Sequence, residues 1–166
     1  MPNGRAKGNA FERLVAKKLC AALGATSKEI YRTPLSGGHP YVGGGDLQIA
    51  ERLREVFPWC VECKHSKSFN AAHLFCPTEQ LNKWAAQALK AARKENRPAL
   101  LIMQGDGRRG SIFVAKNAAG GIRYPIPAYP GEMYVTLSSA CWVVVTLDRF
   151  LQILSRENTR SNKGQY

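Results

Sequence analysis

Periodicity narrows the folds open to this chain more than any other feature. From about Ala6 to Leu23, Phe11, Leu14, Val15, Lys18 and Ala22 recur at three-and-four spacing with Leu19 beside them. That pattern predicts a helix with one apolar face, stopped at Gly24. Ile30–Leu35 and Asp46–Ala50 read as strands on either side of a glycine-rich loop. Residues 51–57 are charged and read as a turn, and Pro58–Lys64 as a further strand. After a loop over 65–76, Pro77 and Thr78 suit the start of a second helix. Leu81, Trp84, Ala85, Ala88, Leu89 and Ala92 form its apolar stripe. Pro98–Met103 reads as a buried strand, followed by a turn over Gly105–Gly110. Ser111–Ala115, Met133–Thr136 and Cys141–Val145 read as shorter strands, and 116–131 as loop. Thr146 caps a short helix, Leu147–Leu154. The order of these elements predicts an α/β fold, a mixed sheet flanked by helices. A single domain is expected over 1–155, with 156–166 a disordered polar tail.

A chain of 166 residues can bury a sizeable core without a disulfide or metal staple. Its 24 Lys and Arg face 12 Asp and Glu, a net charge of +12. An excess of that size favours a polyanionic partner. The basic residues are dispersed, and no apolar run approaches the roughly 20 residues of a membrane span. Nucleic acid therefore fits better than a membrane surface. The opening Met-Pro-Asn-Gly-Arg-Ala-Lys-Gly lacks the apolar segment of a secretory signal. The five cysteines are odd in number and scattered, which argues against a disulfide framework. A reducing cytoplasm is the expected compartment. Cys60-Val61-Glu62-Cys63 has the spacing of half a zinc site, but no second pair stands at ligand spacing.

The chemistry-bearing residues concentrate on two of the strands. Side chains alternate along a strand, so Glu62 and Lys64 share one face while Val61 and Cys63 share the other. Asp46 opens the preceding strand directly after Gly43-Gly44-Gly45. Neighbouring strands can bring Asp46 beside Glu62, and two carboxylates that close repel unless a cation neutralises them. Convergent carboxylates with a nearby Lys can hold a hard divalent ion such as Mg²⁺. That is a sufficient set for hydrolysing a phosphodiester.

A Gly, an Asp at a strand start, then Glu-x-Lys on the next strand resembles the PD-(D/E)xK nuclease superfamily. Within it the chain resembles the archaeal-type Holliday junction resolvases, which some phages also carry. Lys7-Gly8 ahead of a helix bearing Glu12-Arg13 matches that family, as does the run Arg32-Thr33-Pro34-Leu35-Ser36-Gly37. Glu79-Gln80-Leu81 at the start of the following helix matches too. The likeness covers about residues 5–103, and 104–166 match poorly. It implies a restriction-endonuclease-like core and a homodimer that cuts four-way DNA junctions in recombination or repair, using Mg²⁺ or Mn²⁺. It implies Glu12, Asp46 and Glu62 as metal ligands with the main-chain carbonyl of Cys63. Lys64 would serve the attacking water, Ser36 would sit near the scissile phosphate, and Gln80 would support the site. Arg5, Lys7, Arg13, Arg32, His65 and Lys67 would contact DNA. The segment between Asp46 and Glu62 is longer than the family leads one to expect. Alternatives are a nuclease of the same superfamily acting on duplex, flap or single-stranded DNA, and a DNA-binding protein of this fold without activity.

The remaining candidates carry less. His39 reads as a solvated loop residue and His73 as structural or exposed. Trp84 reads as core, Trp142 and Phe150 as core or dimer contacts. Arg108 and Arg109 at a turn tip fit either a DNA arm or a solvated hairpin. Asp106, Asp148 and Glu55 read as surface.

Overall fold

The computed structural model describes residues 4–34, 44–105, 112–117 and 133–163. Its elements run α1 (Gly4–Leu23), β1 (Ile30–Arg32), β2 (Leu47–Ile49), a short 3-10 turn (Glu51–Leu53), β3 (Cys60–Ser66), α2 (Ala72–Phe75), α3 (Glu79–Glu95), β4 (Ala99–Gly105), β5 (Ile112–Asn117), β6 (Met133–Leu137), β7 (Ala140–Thr146) and α4 (Leu147–Lys163). Five strands make one mixed sheet in the order β3-β4-β5-β7-β6. β3 and β4 run parallel, with Glu62 opposite Leu101 and Lys64 opposite Met103. A parallel pair needs a crossover between its strands, and α3 supplies it. The other pairs are antiparallel. β1 and β2 form a separate antiparallel ribbon with Tyr31 opposite Gln48.

Strand alternation builds a core on each face of the sheet. Val61, Cys63, Leu100, Ile102, Val114 and Val145 face α1 and α4, where they pack with Phe11, Val15, Leu19 and Phe150. Cys60, Leu101, Met103, Ala115 and Val144 face α3, where they pack with Leu81, Trp84, Ala85 and Ala88. This is an α/β fold with a mixed sheet flanked by helices, consistent with a restriction-endonuclease-like core. Cys60 and Cys63 stand on opposite faces of β3, in different cores. That separates the two thiols of the Cys-x-x-Cys spacing. Trp142 and Phe150 are fully inside the chain. No described helix is long and apolar enough to cross a membrane.

Thr78 caps α3 as expected, its Oγ1 accepting from the Leu81 N–H at 3.2 Å, and Asn96 ends the helix in the left-handed conformation. Other boundaries differ from expectation. On α1 the buried stripe is Phe11, Val15, Ala16, Leu19 and Leu23, while Leu14 is exposed. β3 continues to Ser66, two residues past the expected end, because its ladder with β4 extends to Gly105. Part of the expected 65–76 loop is the single helical turn α2.

The largest difference is α4, which continues to Lys163 through most of the segment read as a disordered tail. Asn158 Nδ2 donates to the Leu23 carbonyl at 3.1 Å, and Ser155 Oγ, 3.0 Å from the Leu151 carbonyl of its own helix, also lies 3.3 Å from the Ala22 carbonyl. These polar side chains meet the carbonyls that a helix C-terminus leaves without partners. A polar composition therefore does not exclude order here. Asn158→Ala should lower unfolding stability by about 1 kcal/mol, the usual value of one such bond. Urea denaturation followed by circular dichroism would check this, and an unchanged midpoint would show that Asn158 contributes nothing to docking.

Candidate active site

β3 lies at the edge of the sheet, so one row of its backbone groups is left unpaired by the ladder. Asp46 meets that row. Its N–H donates to the Val61 carbonyl at 2.7 Å, and its Oδ2 accepts from the Cys63 N–H at 2.8 Å. The two bonds fix the Asp46 carboxylate against the strand that carries Glu62 and Lys64.

The approach of Asp46 to β3 requires glycine before it. A Cβ on Gly45 would lie 2.7 Å from the Val61 carbonyl oxygen and 3.0 Å from Cys60 Sγ. A Cβ on Gly44 would lie 2.4 Å from the Ala91 carbonyl oxygen. The chain thus threads between β3 and α3 where no side chain fits. Thr33, fully buried, ties this passage to β1. Its Oγ1 donates to the Gly45 carbonyl at 2.8 Å, and its N–H donates to the Asp46 carbonyl at 2.8 Å. From the other side Gly45 N–H donates to Glu95 Oε1 at 3.2 Å. Arg97 Nη1 holds Glu95 Oε2 at 3.1 Å while its Nε donates to the Pro58 carbonyl at 2.8 Å.

Glu62 is only 3% exposed. Its Oε1 lies 2.7 Å from Lys64 Nζ, yet makes no well-angled hydrogen bond. The contact is one of charge. Burial, and then the neighbouring Asp46, push the Glu62 carboxyl up to about 7, against the pull of Lys64. Burial likewise raises Asp46, opposed by the Cys63 N–H and by the charges of Lys64 and Arg32. The Cys63 thiol is raised by burial and by the carboxylates of Asp46, Glu12 and Glu62.

Glu12 comes from the other side. Its Oε2 accepts from Arg32 Nε at 2.6 Å, and both side chains are largely covered. Arg32, expected to contact DNA, is thus directed at the expected ligand Glu12. Asp46, Glu62 and Lys64 are brought together on adjoining backbone. Among the described residues no group of three or more His, Cys, Asp or Glu donors is arranged to hold a metal ion. The donor chemistry nonetheless suits a hard cation, since Glu62 Oε1 is a buried oxygen short of hydrogen bonds beside a second carboxylate.

Of the other expected site residues, His65 packs its ring 5.8 Å from that of Phe11. Lys7 is half-buried, and Arg13, Lys67 and Gln80 are exposed. No described hydrogen bond brings Gln80 to the carboxylates. Ser36, His39, Asp106, Arg108 and Arg109 lie outside the described residues, as does the side chain of Arg5. Sequence reasoning did not single out Thr33, Glu95 or Arg97 for the site. Thr33 lies inside a quoted motif, but nothing in the order of residues shows that Glu95 reaches Gly45.

The raised Glu62 sets a pH dependence in metal-free protein. Folding raises this carboxyl from about 4.5 to about 7, so the folded state holds a proton that the unfolded chain has released. Stability should fall as pH rises across that window, by about 3 kcal/mol. Glu62→Gln should flatten the dependence and be the more stable protein at pH 8, as read by thermal melts in EDTA. A parent curve that rises across the same window would overturn the assigned environment of Glu62.

Comparison with protein-family models matches residues 3–157 to the family described as "Phage putative PDDEXK endonuclease". No curated protein and no solved structure matches the chain. The match includes Asp46, Glu62 and Lys64 and continues across the strands and helix beyond residue 103, where the likeness to junction resolvases is weak. It supports the superfamily and a phage affiliation, and it does not single out the resolvase type. The chain belongs to this phage family of PD-(D/E)xK endonucleases.

Proposed function

We propose that the chain is a divalent-metal-dependent DNA endonuclease whose site is formed by Asp46, Glu62 and Lys64 with Glu12. The observation that carries this reading is the pinning of Asp46 to the edge of β3 beside the buried Glu62. Asp46 and Glu62 would hold the ion with the main-chain carbonyl of Cys63, and Glu12 would complete the set. A bound Mg²⁺ or Mn²⁺ supplies charge neutralisation and an acidified water. Lys64 presents its ammonium beside Glu62, where it can orient the attacking water and offset charge growing on the phosphate. Ser36 would lie near the scissile phosphate, and Gln80 would support the site from the start of α3. Arg5, Lys7, Arg13, Arg32, His65 and Lys67 would meet the DNA, and the net charge of +12 supports a nucleic-acid substrate.

Four-way junctions are the preferred substrate in this reading, cut by a homodimer. The support is the likeness of residues 5–103 to junction resolvases, together with symmetry: a junction offers two equivalent strands, and a two-fold dimer offers two equivalent sites. Selectivity would then come from shape, with little base readout.

With 5 mM Mg²⁺ the purified protein should cut labelled DNA, and EDTA should abolish the cutting. Asp46→Asn should reduce the rate at least about 100-fold, the scale expected when a metal-held transition state is lost. Undiminished cutting by Asp46→Asn would remove Asp46 from the site. A panel of junction, flap, duplex and single-stranded DNA decides the substrate. Equal cutting of junction and plain duplex would replace the junction reading by a more general nuclease. DNA binding without cutting under any divalent ion would leave an inactive DNA-binding protein.

A further inference from the structure

A groove of about 720 Å³ opens between α1 and β1. Three cations line it, Arg13 and Lys17 from α1 and Arg32 from β1, and among the described residues no carboxylate does. Arg13 and Lys17 are exposed one helical turn apart. Like charges at that spacing oppose helix formation, and an anion in the groove would relieve the repulsion. Ile30 and Cys20 give the groove a less polar floor, and Tyr31, 44% exposed, forms part of its wall. Arg32 lies in this groove and is also hydrogen-bonded to Glu12, so the groove adjoins the candidate active site.

This combination differs from a plain basic surface. Cations on one helix would track a phosphate backbone, and an exposed aromatic beside them offers a stacking platform. Bases in a duplex stack on each other and leave no free face for Tyr31. The volume lies within the roughly 300–1,000 Å³ typical of pockets for small molecules, a fit for a nucleotide unit and its neighbours. We propose that the α1–β1 groove binds an unpaired DNA strand beside the cut site, with phosphates on Arg13 and Lys17 and a base stacked on Tyr31. The proposal rests on the nuclease reading and adds a preference for DNA carrying unpaired nucleotides.

The test measures binding, by fluorescence anisotropy in EDTA, of a plain duplex and of the same duplex with a five-nucleotide single-stranded flap. The parent should bind the flap DNA more tightly. Tyr31→Ala should weaken flap binding about tenfold while changing duplex binding less than twofold, and Tyr31→Phe should keep the preference. A 2-aminopurine in the flap should be quenched by the parent and not by Tyr31→Ala. The exposed pair Arg13→Glu and Lys17→Glu gives an independent arm, in which the flap preference should be lost with an unchanged melting temperature. Equal affinity of the parent for both DNAs, or a preference that survives both the Tyr31→Ala and the charge-reversal variants, would overturn the proposal. Cleavage of any DNA by the parent with Mg²⁺ is scored separately. The groove can therefore fail while the nuclease reading stands, and the reverse failure is equally visible.

Discussion

An edge strand leaves backbone donors and acceptors that something must meet, and here Asp46 meets those of β3. The Asp46 N–H and carboxylate satisfy the Val61 carbonyl and the Cys63 N–H. One residue thereby meets two groups of that edge and places an acid beside Glu62. The rest of the site follows from that join. Gly44 and Gly45 are needed because the chain must come within side-chain distance of α3 and β3. Thr33 and the Glu95–Arg97 pair hold that passage by hydrogen bonds to the backbone of Gly45 from either side.

The site is electrostatically costly to the fold. Two carboxylates share a buried region with one ammonium, and burial raises both acids. Replacing a whole buried ion pair by well-packed apolar residues is often neutral or stabilising. Crowding acids in this way serves chemistry better than it serves stability. The surrounding structure supplies the stability, through two separate apolar cores on the faces of the sheet.

The sequence made much of this legible. Strand alternation put Glu62 and Lys64 on one face and Val61 and Cys63 on the other, and the structure keeps that division. The Pro-Thr start of α3 was legible because Thr78 makes a local cap. What escaped depends on contacts distant in the chain. The final turns of α4 are polar, and their order comes from carbonyls at the end of α1, which no local pattern records. Leu14 fits the helical spacing of α1, but the helix rotates so that Ala16 is buried instead. The turn between β6 and β7 uses Ser138 and Ser139 at positive φ, where Gly or Asn would have given a signal. Glu12 is hydrogen-bonded to Arg32, twenty residues away, a pairing that no local pattern records.

The Glu95–Arg97 pair makes the spacing of the acids a property of the whole α3 crossover. Arg97 grips the carbonyls of Phe57 and Pro58 just before β3, and Glu95 grips the amide just before Asp46. A single guanidinium thus spans the start of one acidic strand and the approach to the other. Any tilt of the helix end is delivered to both sides of the carboxylate gap at once. The distance between Asp46 and β3 is therefore governed in part from the C-terminal end of α3.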